Sequence, residues 1–183
     1  MPTQWWPDVE SANAVIDSEG PWPSLSPQSN GRFVALDVDR HEGLAVVVGF
    51  GPNRHGTEVL GSDEFKRTAA GQWDWVSGGG ASHDLDERSR LTIERQPLHL
   101  RMSGRSGWTP LQPRAWIESA VFLCGPDVDS VEIRRRGGVR IADVRTGPGW
   151  LGVVWAEGDP PEVVAFTAQG SQTYSWTPPG KAA

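Results

Sequence analysis

Glycine and proline recur so often along this chain that no long helix has room to form. There are 22 glycines and 15 prolines in 183 residues, and they fall between the apolar stretches rather than in one tract. Proline removes a backbone donor and clashes with the preceding helical turn, and glycine costs conformational entropy in any regular element. A chain punctuated in this way folds as many short strands joined by turns. The apolar stretches have the matching period. Val34, Leu36 and Val38 alternate with Ala35, Asp37 and Asp39, which predicts a half-buried strand over 32–39. Arg40-His41-Glu42-Gly43 then reads as a hairpin turn into Leu44–Phe50, an almost wholly apolar and therefore central strand.

The same pattern continues downstream. Hairpins are expected about Ala70-Gly71, about Gly137-Gly138 and about Asp159-Pro160-Pro161, with further strands over 57–60, 91–101, 116–124 and 174–176. Ser77–Ser82 reads as irregular because of its three consecutive glycines, and 102–113 as a flexible connection containing Gly104, Gly107, Pro110 and Pro113. The fold expected is all-β: an antiparallel β-sandwich or partly open barrel of about ten short strands. Val9, Ala12, Val15 and Ile16 have helical spacing, so a short helix is expected within an N-terminal arm over 1–31. That arm would pack on the body through Trp5, Trp6 and Trp22. Residues 32–177 read as a single β-rich domain with a possible midpoint loop at 102–114, and 178–183 as a flexible tail.

Charge and cysteine content narrow the function classes. The net charge of −6 disfavours nucleic acid and anionic membranes as partners, since both require a positive surface. Arg134-Arg135-Arg136 is the one cationic run, and with Asp127, Asp129 and Glu132 beside it, it reads as a solvated hairpin tip. The longest mainly apolar stretch, Leu44–Phe50, is far short of the roughly 20 residues of a spanning helix. No signal-peptide pattern opens the chain, and Cys124, the single cysteine, has no partner for a disulfide. A cytoplasmic location is expected on these grounds. Cys124 follows Val121-Phe122-Leu123 and reads as buried and inert.

One series of motifs points to a family. A valine-rich hairpin is followed by Gly71-Gln72-Trp73-Asp74-Trp75-Val76 and the Gly78–Gly80 run; later come Gly149-Trp150-Leu151-Gly152-Val153-Val154-Trp155 and Pro161-Glu162-Val163-Val164-Ala165-Phe166. Over about residues 32–168 this order resembles a class of small β-rich proteins of actinobacteria that has no assigned activity. The resemblance implies a β-sandwich-like fold and a source, and no catalytic residues come with it.

Candidate functional residues are of two kinds. Ten tryptophans offer aromatic surface, and Trp73, Trp75 and Trp108, flanked by glycine loops, are the ones expected to be exposed for ligand binding. Trp73 and Trp75, two apart, should share one strand face, whereas Trp150 and Trp155, five apart, should point to opposite faces. The second kind is acidic. Asp74, His83, Asp84 and Asp86 supply oxygen and nitrogen ligands suited to calcium or magnesium, and Asp37-x-Asp39 and Asp127-x-Asp129 repeat the spacing. The same residues are ordinary turn formers, and no resident cofactor is implied. No nucleophile elbow, zinc-protease helix or paired-cysteine motif is present, and Gly78–Ser82 lacks the lysine of a phosphate loop. The function expected is a non-catalytic protein-interaction module with a protein partner or self-association. A small-ligand or carbohydrate binder using exposed tryptophan is the alternative. A metal-dependent hydrolase built on Asp74, His83, Asp84 and Asp86 is the third reading.

Overall fold

A computed structural model of the chain describes residues 9–18, 34–52, 57–81, 97–108, 115–147 and 149–176. They form one short helix, α1 (Val9–Asp17), and eleven strands. The strands are β1 (Val34–His41), β2 (Leu44–Pro52), β3 (Glu58–Arg67), β4 (Trp73–Ala81), β5 (Leu98–Trp108), β6 (Ala115–Cys124), β7 (Val128–Arg135), β8 (Gly138–Asp143), β9 (Trp150–Ala156), β10 (Glu162–Thr167) and β11 (Gly170–Thr173). Three antiparallel sheets result, ordered β1-β2-β3-β4, β5-β6-β9 and β11-β10-β7-β8. The expected all-β, sandwich-like architecture is the one observed. No helix among the described residues is long and apolar enough to cross a membrane.

The β5-β6-β9 sheet is the middle layer, and its side chains show why. Alternate residues of β6 and β9 feed two different cores. Val121, Leu123 and Trp150 meet Leu36, Val48, Phe50 and Leu60 of the first sheet. Phe122, Cys124, Leu151, Val153 and Trp155 meet Val131, Ile133, Val163 and Ala165 of the third. A strand covered on both faces must be apolar at nearly every position, and β9 (WLGVVWA) is. Trp150 and Trp155 therefore do face opposite sides. Each large fully buried side chain such as Phe122 or Leu151 contributes about 1.5–3 kcal/mol. Tyr174 and Trp176 do not extend a strand. They close the second core from beyond β11, with edge-on contacts to Phe122 and the Trp176 indole donating to the Pro161 carbonyl at 2.6 Å.

The helix needs this framework. Nine residues are too few for a stable isolated helix, for which about 12–15 are marginal. It is held by Ile16, fully buried among Val38, Val47, Phe65 and Trp73 on the outer face of the first sheet. Arg40 adds a bond from its guanidinium to the Ile16 carbonyl, one of the carbonyls a helix end leaves unpaired. Trp5, Trp6 and Trp22 lie outside the described residues.

Two sequence expectations fail, for one reason. Ser77–Ala81 belongs to β4, and Leu98–Trp108, including Met102–Trp108, is the continuous strand β5. Their glycines mark close approach rather than irregularity. A Cβ on Gly78 would collide with the Asp63 carboxylate, one on Gly80 would lie 2.9 Å from the Leu60 carbonyl, and one on Gly107 would lie 2.9 Å from the Trp116 ring.

Candidate binding groove

Strand edges expose unpaired N–H and C=O groups, so how a β protein treats them is informative. Here one edge is closed by charged side chains. Among the described residues β9 pairs with β6 on one side only. On its other side Asp37 accepts the Gly152 N–H at 2.8 Å and Arg140 donates to the Gly152 carbonyl at 3.1 Å. Two residues on, Asp39 accepts the Val154 N–H at 2.8 Å and Arg135 donates to the Val154 carbonyl at 3.3 Å. Each aspartate is also ion-paired with its arginine. Two Asp–Arg pairs from β1 and the β7–β8 hairpin thus stand in for a missing neighbouring strand. Gly152 lets β9 lie close on β2, since a Cβ there would lie 2.8 Å from Val48.

This cluster corrects two readings. Asp37 and Asp39 are not a metal pair, and Arg135 is not part of a solvated tip: its side chain is 7% exposed and held by Asp39. Burial pushes the Asp37 carboxyl above its ordinary range, against the pull of Arg140 and the Gly152 N–H. The Arg140 guanidinium, although buried, is held above its ordinary value by Asp37 and Asp39. Asp129 of the third acidic pair is bonded to Arg145 at 2.8 Å.

A second device of this kind sits at the start of β4. The Asn13 amide accepts the Trp73 N–H at 2.8 Å and donates to the Trp73 carbonyl at 3.1 Å, closing that edge from α1. Trp73 is consequently buried, 3% exposed, with its indole bonded to Asp17 at 3.0 Å. It is not the exposed platform its glycine neighbours suggest, because the helix covers it. Trp75 shares that face, half-buried, its indole donating to the Asp63 carboxylate at 2.7 Å. Trp108 ends β5, and its side chain lies outside the described residues. Asp74 is exposed on β4 opposite Lys66. His83, Asp84 and Asp86 lie outside the described residues. Among the described residues no three metal-ligating side chains come together.

Beyond Trp75 the treatment of β4 changes. Among the described residues β4 is the outermost strand of its sheet and β5 the outermost of the middle sheet, and they border a groove of about 480 Å³. Gly78, Gly79 and Gly80 form one lip, and Ser103, Gly104 and Arg105 the other; all six are exposed. Ser62, Glu64 and Ser77 from the first sheet and Ser106 and Ser119 from the middle one line it between these lips. Glu64 is 4% exposed. Ser119 donates to one of its carboxylate oxygens at 2.6 Å and Ser106 to the other. Gly104 gives this carboxylate room, since a Cβ there would lie 2.9 Å from it. At Gly79, by contrast, a Cβ would meet nothing within 4 Å, so the missing side chain leaves open space. Arg105 turns to the other face of β5, lying 4.7 Å over the Trp116 ring and paired with Glu157. The volume is in the range of small-ligand and peptide sites.

Glu64, Ser106 and Ser119 were not singled out from the sequence. Ser119 interrupts the apolar run of β6 and Glu64 sits in the middle of a buried strand; a polar residue in such a place is the signal that was available. Comparison of the chain with family models, with curated proteins and with solved structures finds no match.

Proposed function

We propose that the protein is a non-catalytic interaction module that takes an extended polypeptide segment in this groove, as an added strand on the edge of β4. The observation that carries the reading is a contrast within one molecule. The edge of β9 is closed by two Asp–Arg pairs and the start of β4 by Asn13, yet the Gly78–Gly80 stretch presents exposed backbone to a polar groove. Bare edges are templates for a further strand, and proteins that do not use them blunt them. Glycine suits the role, because a backbone without side chains admits another backbone closely. A reducing, cytoplasmic setting fits the single cysteine, Cys124, which is buried.

The test is selection from a displayed library of random dodecapeptides on the native protein and on Gly79→Val. The variant should fold, since a Cβ at residue 79 would meet nothing within 4 Å, and its side chain extends into the groove. Enrichment of a peptide family on the native protein, lost on Gly79→Val, is the expected result. No enrichment, or equal enrichment on both proteins, would contradict the reading; a second copy of the chain as the occupant would appear as dimerisation that Gly79→Val abolishes.

A further inference from the structure

Four carboxylates among the described residues are buried: Asp37, Asp39, Asp63 and Glu64. Burying a charge is costly unless it is paired, so each should be matched to something. Asp37 and Asp39 have arginines, and Asp63 holds the Trp75 indole on the opposite face of β3 from Glu64. Glu64 has two neutral hydroxyls and, among the described residues, no paired cation, and it alone of the four lines the groove. A carboxylate offers about four lone-pair sites, of which Ser106 and Ser119 use two. The remaining acceptors belong to a group that faces Gly104, which has no side chain to cover it. Arg105 does not fill the role, because it is committed to Glu157 and Trp116; Arg101, the other arginine lining the groove, is engaged elsewhere and forms no ion pair with Glu64 among the described residues. The net charge of −6 adds a long-range attraction of the same sign.

We propose that the groove selects a segment bearing a guanidinium or ammonium group, which seats on Glu64 as the specificity-determining contact. A guanidinium fits best, since its planar fork matches a carboxylate bidentately. This rests on the polypeptide reading above, but the two fail separately.

The experiment is amide NMR titration of the ¹⁵N-labelled protein with the capped peptides GGRGG, GGKGG and GGQGG and with agmatine, a free guanidinium compound. The expected result is saturable shifts at Glu64, Ser106, Ser119 and Gly104 with GGRGG and GGKGG, weaker by about tenfold or more with GGQGG. Glu64→Gln should erase that preference. Because the arginine–glutamine peptide comparison is made on the native protein, it decides the matter even if the variant does not fold. Equal binding of GGRGG and GGQGG, or no shift at these residues with any cationic probe, would overturn the inference. Shifts with agmatine but with neither cationic peptide would support the cation site and instead defeat the polypeptide reading. Equal peptide binding with protected β4 amides would do the reverse.

Discussion

If Asp39 and Arg135 close the edge of β9, replacing both should cost stability that an ion pair alone would not explain. Consider Asp39→Ala first. Asp39 is fully buried and Arg135 is 7% exposed. Removing the carboxylate strands a buried guanidinium, which costs about 3–5 kcal/mol. It also leaves the Val154 N–H without its acceptor, for about 1–3 kcal/mol more. The two effects share a site and do not add fully, so a loss of about 4–6 kcal/mol is expected. That is a large share of the roughly 5–15 kcal/mol stability of a domain. The double replacement Asp39→Leu with Arg135→Leu separates the roles. An isolated buried ion pair exchanged for apolar residues is often neutral in stability. Here the exchange strips both the N–H and the carbonyl of Val154, so about 2–4 kcal/mol should still be lost. Urea unfolding followed by tryptophan fluorescence measures all three proteins. A double variant within about 0.5 kcal/mol of the native protein would show that the pair does not serve the edge.

Further outcomes follow from single positions. Gly152→Ala brings a Cβ to 2.8 Å from Val48 and should cost about 1–3 kcal/mol in urea unfolding; an unchanged midpoint would mean that β9 does not lie so close to β2. Glu42 stands at φ 49° beside Gly43 at φ 78°, so Glu42→Asn, which gives the turn its favoured Asn-Gly pair, should stabilise by about 1 kcal/mol in thermal melts, and a destabilised variant would contradict the turn geometry. Asp37 is held above its ordinary 3.8 by burial, so the folded chain keeps this proton where the unfolded chain has lost it. The stability it contributes is full below pH 3.8 and is lost as pH rises through the raised value. The native protein should therefore gain stability over Asp37→Asn as pH falls toward 4; a difference independent of pH would refute the direction.

The legible part of this fold is the part where one physical rule acts alone. β1 and β2 follow from alternation and from an unbroken apolar run, and Trp150 and Trp155 part company because five residues along a strand is an odd number. The illegible part is where two rules compete. Three consecutive glycines favour irregular backbone, yet Gly78–Gly80 is strand, with the Asp63 carboxylate leaving no room for a side chain at Gly78 and the Leu60 carbonyl none at Gly80. Trp73 looks exposed by its neighbours and is buried because Asn13 and Ile16, some 60 residues earlier, cover it. Asp37 and Asp39 look like metal ligands because a sequence does not show that Arg135 and Arg140, about a hundred residues away, meet them. The groove was hidden for the same reason. Glu64, Ser106 and Ser119 come from three strands, and no local pattern joins them.

The claim that β4 offers its glycine edge to an added strand is tested most directly by amide hydrogen exchange. The amides of Ser77–Ala81 would be followed with and without a peptide selected on the native protein. An added strand protects every second amide along that stretch, because alternate N–H groups of an edge strand face its new neighbour. Protection with that period, absent in Gly79→Val, is the predicted result. A bound peptide that leaves these amides exchanging at their original rates would contradict the account.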